Sequence, residues 1–213
     1  MLKTKVKASS ITNLTDARYF AAWEVEWLGF NLDAGSDDYI EPKNMKAIKE
    51  WVDGVKVVGE FNLPDLETIK SAIEVLEIEQ VQVGQFTDFN TLKPISELLP
   101  VIQEIVVETG DSLDVLRPVF DQNADMVTLF ILNFDKNGIN WDFIQENLLE
   151  DLRALIVEYP ILLSLNVNHD NIDAILEKLN PMGISVKGGV EEKVGYKSYD
   201  ELDEIFEKIE ILV

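Results

Sequence analysis

The sequence predicts an α/β fold, a single-domain (β/α)8 TIM barrel spanning residues 1–213, on three observations. Eight short β-rich runs alternate with eight amphipathic helical runs over 213 residues, and that many repeats in that length fit a barrel with short loops. Some strand runs are apolar on both faces, Val127-Thr128-Leu129-Phe130-Ile131-Leu132 most clearly. That is expected where one face fills a barrel and the other meets helices. No Gly-x-Gly-x-x-Gly follows the first strand, which counts against a doubly wound open sheet.

The strand windows are Lys5–Ser9, Trp27–Asn31, Val55–Phe61, Gln80–Val83, Ile102–Glu108, Met126–Leu132, Ile161–Asn166 and Ile184–Lys187. Helical patterns fill residues 13–25, 42–53, 64–76, 88–99, 111–121, 140–156, 168–179 and 198–212. In the first, Leu14, Ala17, Ala21 and Val25 recur at helical spacing and offer one face to the barrel wall. The second opens on Pro42, favoured in a first turn because its missing N–H would be unpaired there anyway. The last opens on Ser198-Tyr199-Asp200-Glu201, the pattern of a capping box. Trp23, Trp27, Trp51 and Trp141 read as packing between helices and barrel.

Composition bounds the function. Apolar residues are 46% of the chain, enough for a sizeable core. No apolar run reaches the roughly 20 residues that span a bilayer. There is no cysteine, so disulfides and thiolate chemistry are excluded, and a cytoplasmic location is expected. The net charge of -22 argues against nucleic-acid and anionic-membrane partners. With one histidine and no acidic pair at ligand spacing, no metal is expected, and no cofactor. His169 reads as a surface residue.

In such a barrel, chemistry sits at the C-terminal ends of the strands. Those ends carry Lys7, Ser9 and Ser10; Asn31 and Asp33; Glu60 and Asn62; Gln82; Glu108; Asn133 and Asp135; Asn166; and Lys187-Gly188-Gly189. Lys7 is read either as a buried partner of Glu60 or Glu108 or as a base in the barrel mouth.

These residues resemble the phosphoribosylanthranilate isomerase family, the single-domain barrel of tryptophan biosynthesis. Lys7-Ala8-Ser9-Ser10-Ile11-Thr12-Asn13 with Asp16-Ala17 is similar to the family's opening Lys-x-Cys-Gly-Ile-Thr-Asn with Asp-Ala. Leu28-Gly29-Phe30 and Ser36-Asp37-Asp38-Tyr39-Ile40-Glu41-Pro42 resemble Leu-Gly-Phe and Ser-Pro-Arg-x-Ile-x-Pro. Val55-Lys56-Val57-Val58-Gly59-Glu60-Phe61, Val81-Gln82-Val83, Val186-Lys187-Gly188-Gly189-Val190-Glu191 and Gly195-Tyr196-Lys197 continue the match in order.

The resemblance implies a general base at position 9, a general acid after strand six, a carboxylate-binding arginine at position 38 and glycine-rich phosphate loops. The chain departs from each. Ser9 replaces the cysteine, and an unaided hydroxyl is a poor base. The acid position falls on Leu129 or Phe130 when aligned from Ala124-Asp125, or on Asn133 when an insertion is allowed; Asn133 has no proton to give, and Asp135 lies two residues on. Asp38 reverses the arginine's charge. Gly84 replaces a histidine, and of the phosphate glycines only Gly188-Gly189 remain, preceded by Lys187.

The sequence therefore predicts a divergent barrel of this family without the original isomerase activity. Ser9, Asn133 and Asp135 would be inactive catalytic positions. Lys7, Asp38, Gln82, Lys187, Gly188 and Gly189 would line a residual site for a small anion or sugar phosphate. Three other readings stay open: an active isomerase using Ser9, Asp135 and Lys187; a different enzyme built on Lys7, Glu60, Glu108 and Lys187; and a structural or regulatory partner protein. Monomer and dimer are equally open.

Overall fold

The eight strands close on themselves in sequence order, β1 to β8, all parallel. They are β1 (Lys5–Ser9), β2 (Trp27–Asn31), β3 (Lys56–Glu60), β4 (Gln80–Gly84), β5 (Val101–Val106), β6 (Leu129–Asn133), β7 (Ile161–Ser164) and β8 (Gly183–Lys187). The structure is a computed structural model that describes residues 1–108, 113–193 and 196–211. A short antiparallel pair, β9 (Val190–Lys193) and β10 (Tyr196–Ser198), follows β8. The helices among the described residues are α1 (Leu14–Ala22), α2 (Pro42–Lys49), α3 (Leu66–Leu76), α4 (Phe89–Ser96), α5 (Arg117–Asn123), α6 (Trp141–Asn147), α7 (Leu149–Glu158), α8 (Ile172–Leu179) and α9 (Asp200–Ile209).

Side-chain alternation along the strands divides the core in two. Outward residues such as Val6, Leu28, Val57, Val81, Phe130, Leu163 and Ile184 join the helices in one large apolar shell. Inside the barrel, Trp27, Val58, Ile102, Leu129, Ile131 and Leu162 form a separate apolar plug. One step further along the same strand faces come Gly29, Glu60, Glu104, Asn133 and Ser164, with Lys7, Gln82 and Ser185 at similar height. Polar side chains thus stand on an apolar floor.

Local signals place the helices. Asn13 caps α1, its side-chain oxygen accepting from the Asp16 amide at 2.9 Å. Asp65 and Asp88 cap α3 and α4 in the same way, each satisfying amides the helix leaves free. Pro42 opens α2 as expected. The first and last helices meet through stacked rings: Trp23 on Phe206 at 5.1 Å and Tyr19 on Tyr199 at 4.2 Å.

Several expectations need correction. The window 140–156 is two helices, because Leu148 leaves helical geometry at φ -125°. Residues 113–116 form a 3₁₀ turn before α5, and residues 111–112 and 212 of the expected windows lie outside the described residues. The capping box at Ser198 does not form, since Ser198 belongs to β10 and Tyr199 precedes α9 without a side-chain cap. Trp51 does not pack against the barrel but is 68% exposed. Strand β6 begins three residues later than expected. Thr128, just before it, already bonds to the neighbouring strand through its amide and hydroxyl, each 2.9 Å from the Val101 carbonyl.

Candidate functional site

A cavity of about 970 Å³ opens at the C-terminal ends of the strands. Its wall includes Ser9, Ser10, Glu60, Gln82, Glu104, Asn133, Asp135, Ser185, Lys187, Gly188 and Gly189. The expected site residues are therefore brought to one mouth, except Lys7 and Glu108. Lys7, expected to touch a ligand, is wholly buried behind the wall.

The reason lies on β2. Lys7 and Glu60 project from β1 and β3, and the residue between them is Gly29. A Cβ there would overlap the Glu60 carboxylate and lie 2.7 Å from Lys7 Nζ. The missing side chain lets the two charges meet as a buried ion pair. Lys7 Nζ also donates to Ser9 Oγ at 2.8 Å, and Ser9 Oγ shares a hydrogen bond with Ser185 Oγ at 2.8 Å. The second Glu60 oxygen accepts from the Ser10 amide at 3.0 Å. Ser10 holds φ +55°, a left-handed conformation that costs a non-glycine residue about 1 kcal/mol or more. The turn needs that shape for its amide to reach Glu60. Of the two partners open to Lys7 in the sequence, the fold selects Glu60. Glu108 is exposed and lies beyond the end of β5, near Asn137 Nδ2 at 3.3 Å.

Across the mouth, Asn133 is buried and fully engaged. Its Nδ2 donates to Glu104 Oε1 at 2.6 Å, and its Oδ1 accepts from the Lys136 amide at 3.0 Å. Lys136 Nζ binds the other Glu104 oxygen at 3.0 Å. Asp135 starts a 3₁₀ turn that carries its carboxyl over the mouth, where it accepts from Ser164 Oγ at 3.1 Å. Burial pushes the Asp135 carboxyl up from its ordinary value, against smaller lowering effects of Ser164 and Lys187. Gln82 is buried in the wall, and its Oε1 has no hydrogen-bond partner among the described residues.

On the β8 side, Lys187 reaches across the rim to Asp38 at 3.0 Å. Asp38 is therefore not a free negative charge at the entrance. Gly188 is pressed against Asp16: a Cβ on it would sit 2.6 Å from Asp16 Oδ2. Asp16 is itself buried and bound by Asn13 Nδ2 at 2.7 Å, Lys197 Nζ at 2.5 Å and Tyr199 Oη at 2.6 Å. Burial, then this bond to Asp16, raises the Tyr199 hydroxyl well above its usual value.

Glu104 and Ser185 are cavity residues that sequence reasoning missed, and Asp16 stands buried behind Gly188 in support of the wall. Extending strand five to Glu108 put the wrong carboxylate at its end. Counting inward residues by twos from the buried Ile102 would have found Glu104. His169 sits at the surface, beside Asp170 and far from these groups in the fold. Among the described residues, no group of three or more acidic or histidine side chains is placed to hold a metal ion.

A closed parallel barrel with a polar cavity at its C-terminal strand ends defines this protein as a TIM barrel with the usual site location for that fold. Within that class the chain belongs to the N-(5'-phosphoribosyl)anthranilate (PRA) isomerase family, whose model matches residues 6–208. It is 22% identical to the N-(5'-phosphoribosyl)anthranilate isomerase of Acaryochloris marina, over 98% of this chain and 99% of that one. The fold is similar to a phosphoribosyl anthranilate isomerase in complex with reduced 1-(o-carboxyphenylamino)-1-deoxyribulose 5-phosphate. That match has TM-score 0.74 and 22% identity, and covers 96% of this chain and 97% of that one. It is also similar to monomers generated from the dimeric enzyme of Thermotoga maritima, with TM-score 0.75 and 21% identity, covering 97% and 98%. No helix among the described residues is long and apolar enough to cross a membrane.

Proposed function

We propose that this barrel carries out the isomerisation its family is named for, as a step of tryptophan biosynthesis, with its proton-handling groups relocated. The sequence led to the opposite expectation, that the reaction had been lost. One observation supports the active reading: Asp135, whose carboxyl partial desolvation raises from its ordinary value, faces the same open cavity as Ser9. A carboxyl raised in this way is better suited to give a proton to a sugar ring oxygen.

In this reading the substrate is an amino-sugar phosphate. Asp135 donates a proton to the ribose ring oxygen as the ring opens to a Schiff base. Ser9 removes the proton from the adjacent carbon, giving the enamine that becomes the ketose. Lys187 exchanges Asp38 for an anionic group of the ligand, beside the backbone of Gly188 and Gly189. Gln82, whose amide lines the cavity wall and whose Oε1 is buried without a partner among the described residues, offers a polar group to a sugar hydroxyl if its side chain turns. The apolar floor excludes water from beneath the reacting carbon.

A second reading has its own observation. Asn133 is locked onto Glu104 and cannot serve as the acid, as in a barrel that binds a sugar phosphate without converting it, or that acts as a structural or regulatory partner. Turnover separates the readings. Purified protein is incubated with N-(5'-phosphoribosyl)anthranilate, and a strain lacking this step is tested for growth without tryptophan. Product formation and growth support the active reading. Saturable binding of a reduced product analogue with no turnover supports the second.

A further inference from the structure

An isomerase of this kind needs a base, and the residue in position is a serine. We propose that Ser9, Lys7 and Glu60 form a proton relay in which Ser9 takes the substrate's carbon-bound proton and Glu60 stores the displaced one; this rests on the isomerase reading above.

The geometry has the form of a nucleophile, a base and an orienting acid in series. Ser9 faces the cavity. Lys7 Nζ is 2.8 Å from Ser9 Oγ and is paired on its other side with Glu60 Oε1. Lys7 is wholly buried and Glu60 nearly so. Neither water nor ligand reaches Lys7 directly, so it acts only through Ser9. The glycine on β2 gives the pair its room. The Ser10 amide and hydroxyl fix the far oxygen of Glu60, at 3.0 and 3.3 Å. Ser185 Oγ, 2.8 Å from Ser9 Oγ, fixes the serine.

The protons balance in three linked transfers. Lys7 passes one proton to Glu60 Oε1, giving a neutral amine and a neutral carboxyl. Rotation about the Lys7 Cε–Nζ bond turns the freed lone pair to Ser9. Ser9 then gives its hydroxyl proton to Lys7 as its oxygen takes the proton from the substrate carbon. The electrons of that C–H bond move into the bond toward the Schiff-base nitrogen, which becomes neutral. The relay ends with an ammonium on Lys7, a carboxylic acid on Glu60 and an intact Ser9 hydroxyl. It has gained one proton, which it returns when the product leaves. No oxidant or further reactant is needed. Ser9 is the catalytic residue; Lys7 and Glu60 are positioning residues.

The test uses the difference between a hydroxyl and a thiol. A thiol ionises near neutral pH without help, whereas a serine hydroxyl does not. Rates with N-(5'-phosphoribosyl)anthranilate are measured for the wild type, Glu60→Gln, Ser9→Cys and the double variant. The expected result is a fall in kcat of about 100-fold for Glu60→Gln, with KM changed less than about three-fold, and little further loss when Glu60→Gln is added to Ser9→Cys. An equal loss in both backgrounds overturns the relay, because Glu60 would then be serving structure alone. An undiminished kcat in Glu60→Gln also overturns it. If Glu60→Gln does not fold, Lys7→Met/Glu60→Leu removes both charges together, and the same contrast between the wild-type and Ser9→Cys backgrounds is expected. An active wild type in which Glu60→Gln gives either of those two overturning results overturns the relay alone. A silent wild type overturns the isomerase reading and the relay with it, even where Ser9→Cys is active.

Discussion

Lys7 and Glu60 lie 53 residues apart in the sequence and form a buried ion pair across an intervening strand. The space they share is the side chain that Gly29 lacks. This makes the glycine part of the electrostatics of the barrel. Gly29→Ala puts a methyl group where the Glu60 carboxylate sits. Separating a buried pair costs about 3–5 kcal/mol, and a loss approaching that range is expected in urea unfolding. Lys7→Met alone should cost about as much, because Glu60 stays buried and uncompensated. Lys7→Met/Glu60→Leu should recover most of the loss, as apolar replacement of both partners is often neutral or stabilising.

Asp135 ties stability to pH. Its raised value in the fold means the neutral acid is the better accommodated form. Its contribution to stability is therefore complete below the ordinary carboxyl value of about 4. It is lost as the pH rises through the raised folded value. Asp135→Asn should unfold at higher denaturant than wild type at about pH 7, and at the same denaturant at about pH 3, in paired unfolding curves at each pH. In the isomerase reading the same substitution lowers kcat by about 100-fold or more. The wild-type rate should also fall as Asp135 loses its proton on the alkaline side.

The rim pair Lys187–Asp38 is solvent-exposed, with side-chain exposures of 73% and 42%, so its effect is modest and sensitive to salt. Asp38→Asn frees Lys187 and removes a negative charge at the entrance. Inorganic phosphate and phosphorylated ligands should bind more tightly by up to about five-fold, corresponding to at most about 1 kcal/mol. Titration calorimetry at low and high salt should show the gain shrinking with ionic strength. Lys187→Ala should move affinity the other way.

Helix α3 ends on Glu77 at φ +50°, in the left-handed conformation, with an exposed side chain. Lys49 reaches this end mainly through the Glu77 carbonyl at 2.8 Å, which any residue supplies. Glu77→Gly should therefore stabilise the protein by about 1 kcal/mol. Thermal melting should rise by about 2–4 °C for a chain of this size.

The barrel was legible because its cause is local. Each strand is a short run with β-forming residues, and each helix carries its own apolar stripe and cap, so Lys5–Ser9 and Trp27–Asn31 match the structure end for end. Strand ends were less legible where pairing partners decide them. Strand β5 stops with Val106 opposite Asn133, which a window on one strand cannot reveal. That misplacement hid Glu104. The family was legible in short motifs, as the match over residues 6–208 bears out. What the departures meant was not legible. Ser9 beside a lysine, Asp38 beside Lys187 and Asp135 turned over the mouth are relations between distant positions. A hydroxyl looks inert in a sequence and different when a buried cation touches it.

The apolar plug beneath the site carries one more consequence. Trp27, Val58, Ile102, Leu129, Ile131 and Leu162 lie beneath the polar layer, Ile131 also lining the cavity, and they set the medium in which the charges above them interact. Coulomb attraction strengthens as water is excluded, several-fold between a wet and a dry setting. The plug is thus electrical insulation for the floor of the mouth. A cavity opened there, by Ile131→Ala for example, would admit water below Glu60 and Lys7 and weaken their coupling without altering either residue. Positions that look like ordinary filler would then govern how strongly charge is felt where a substrate sits.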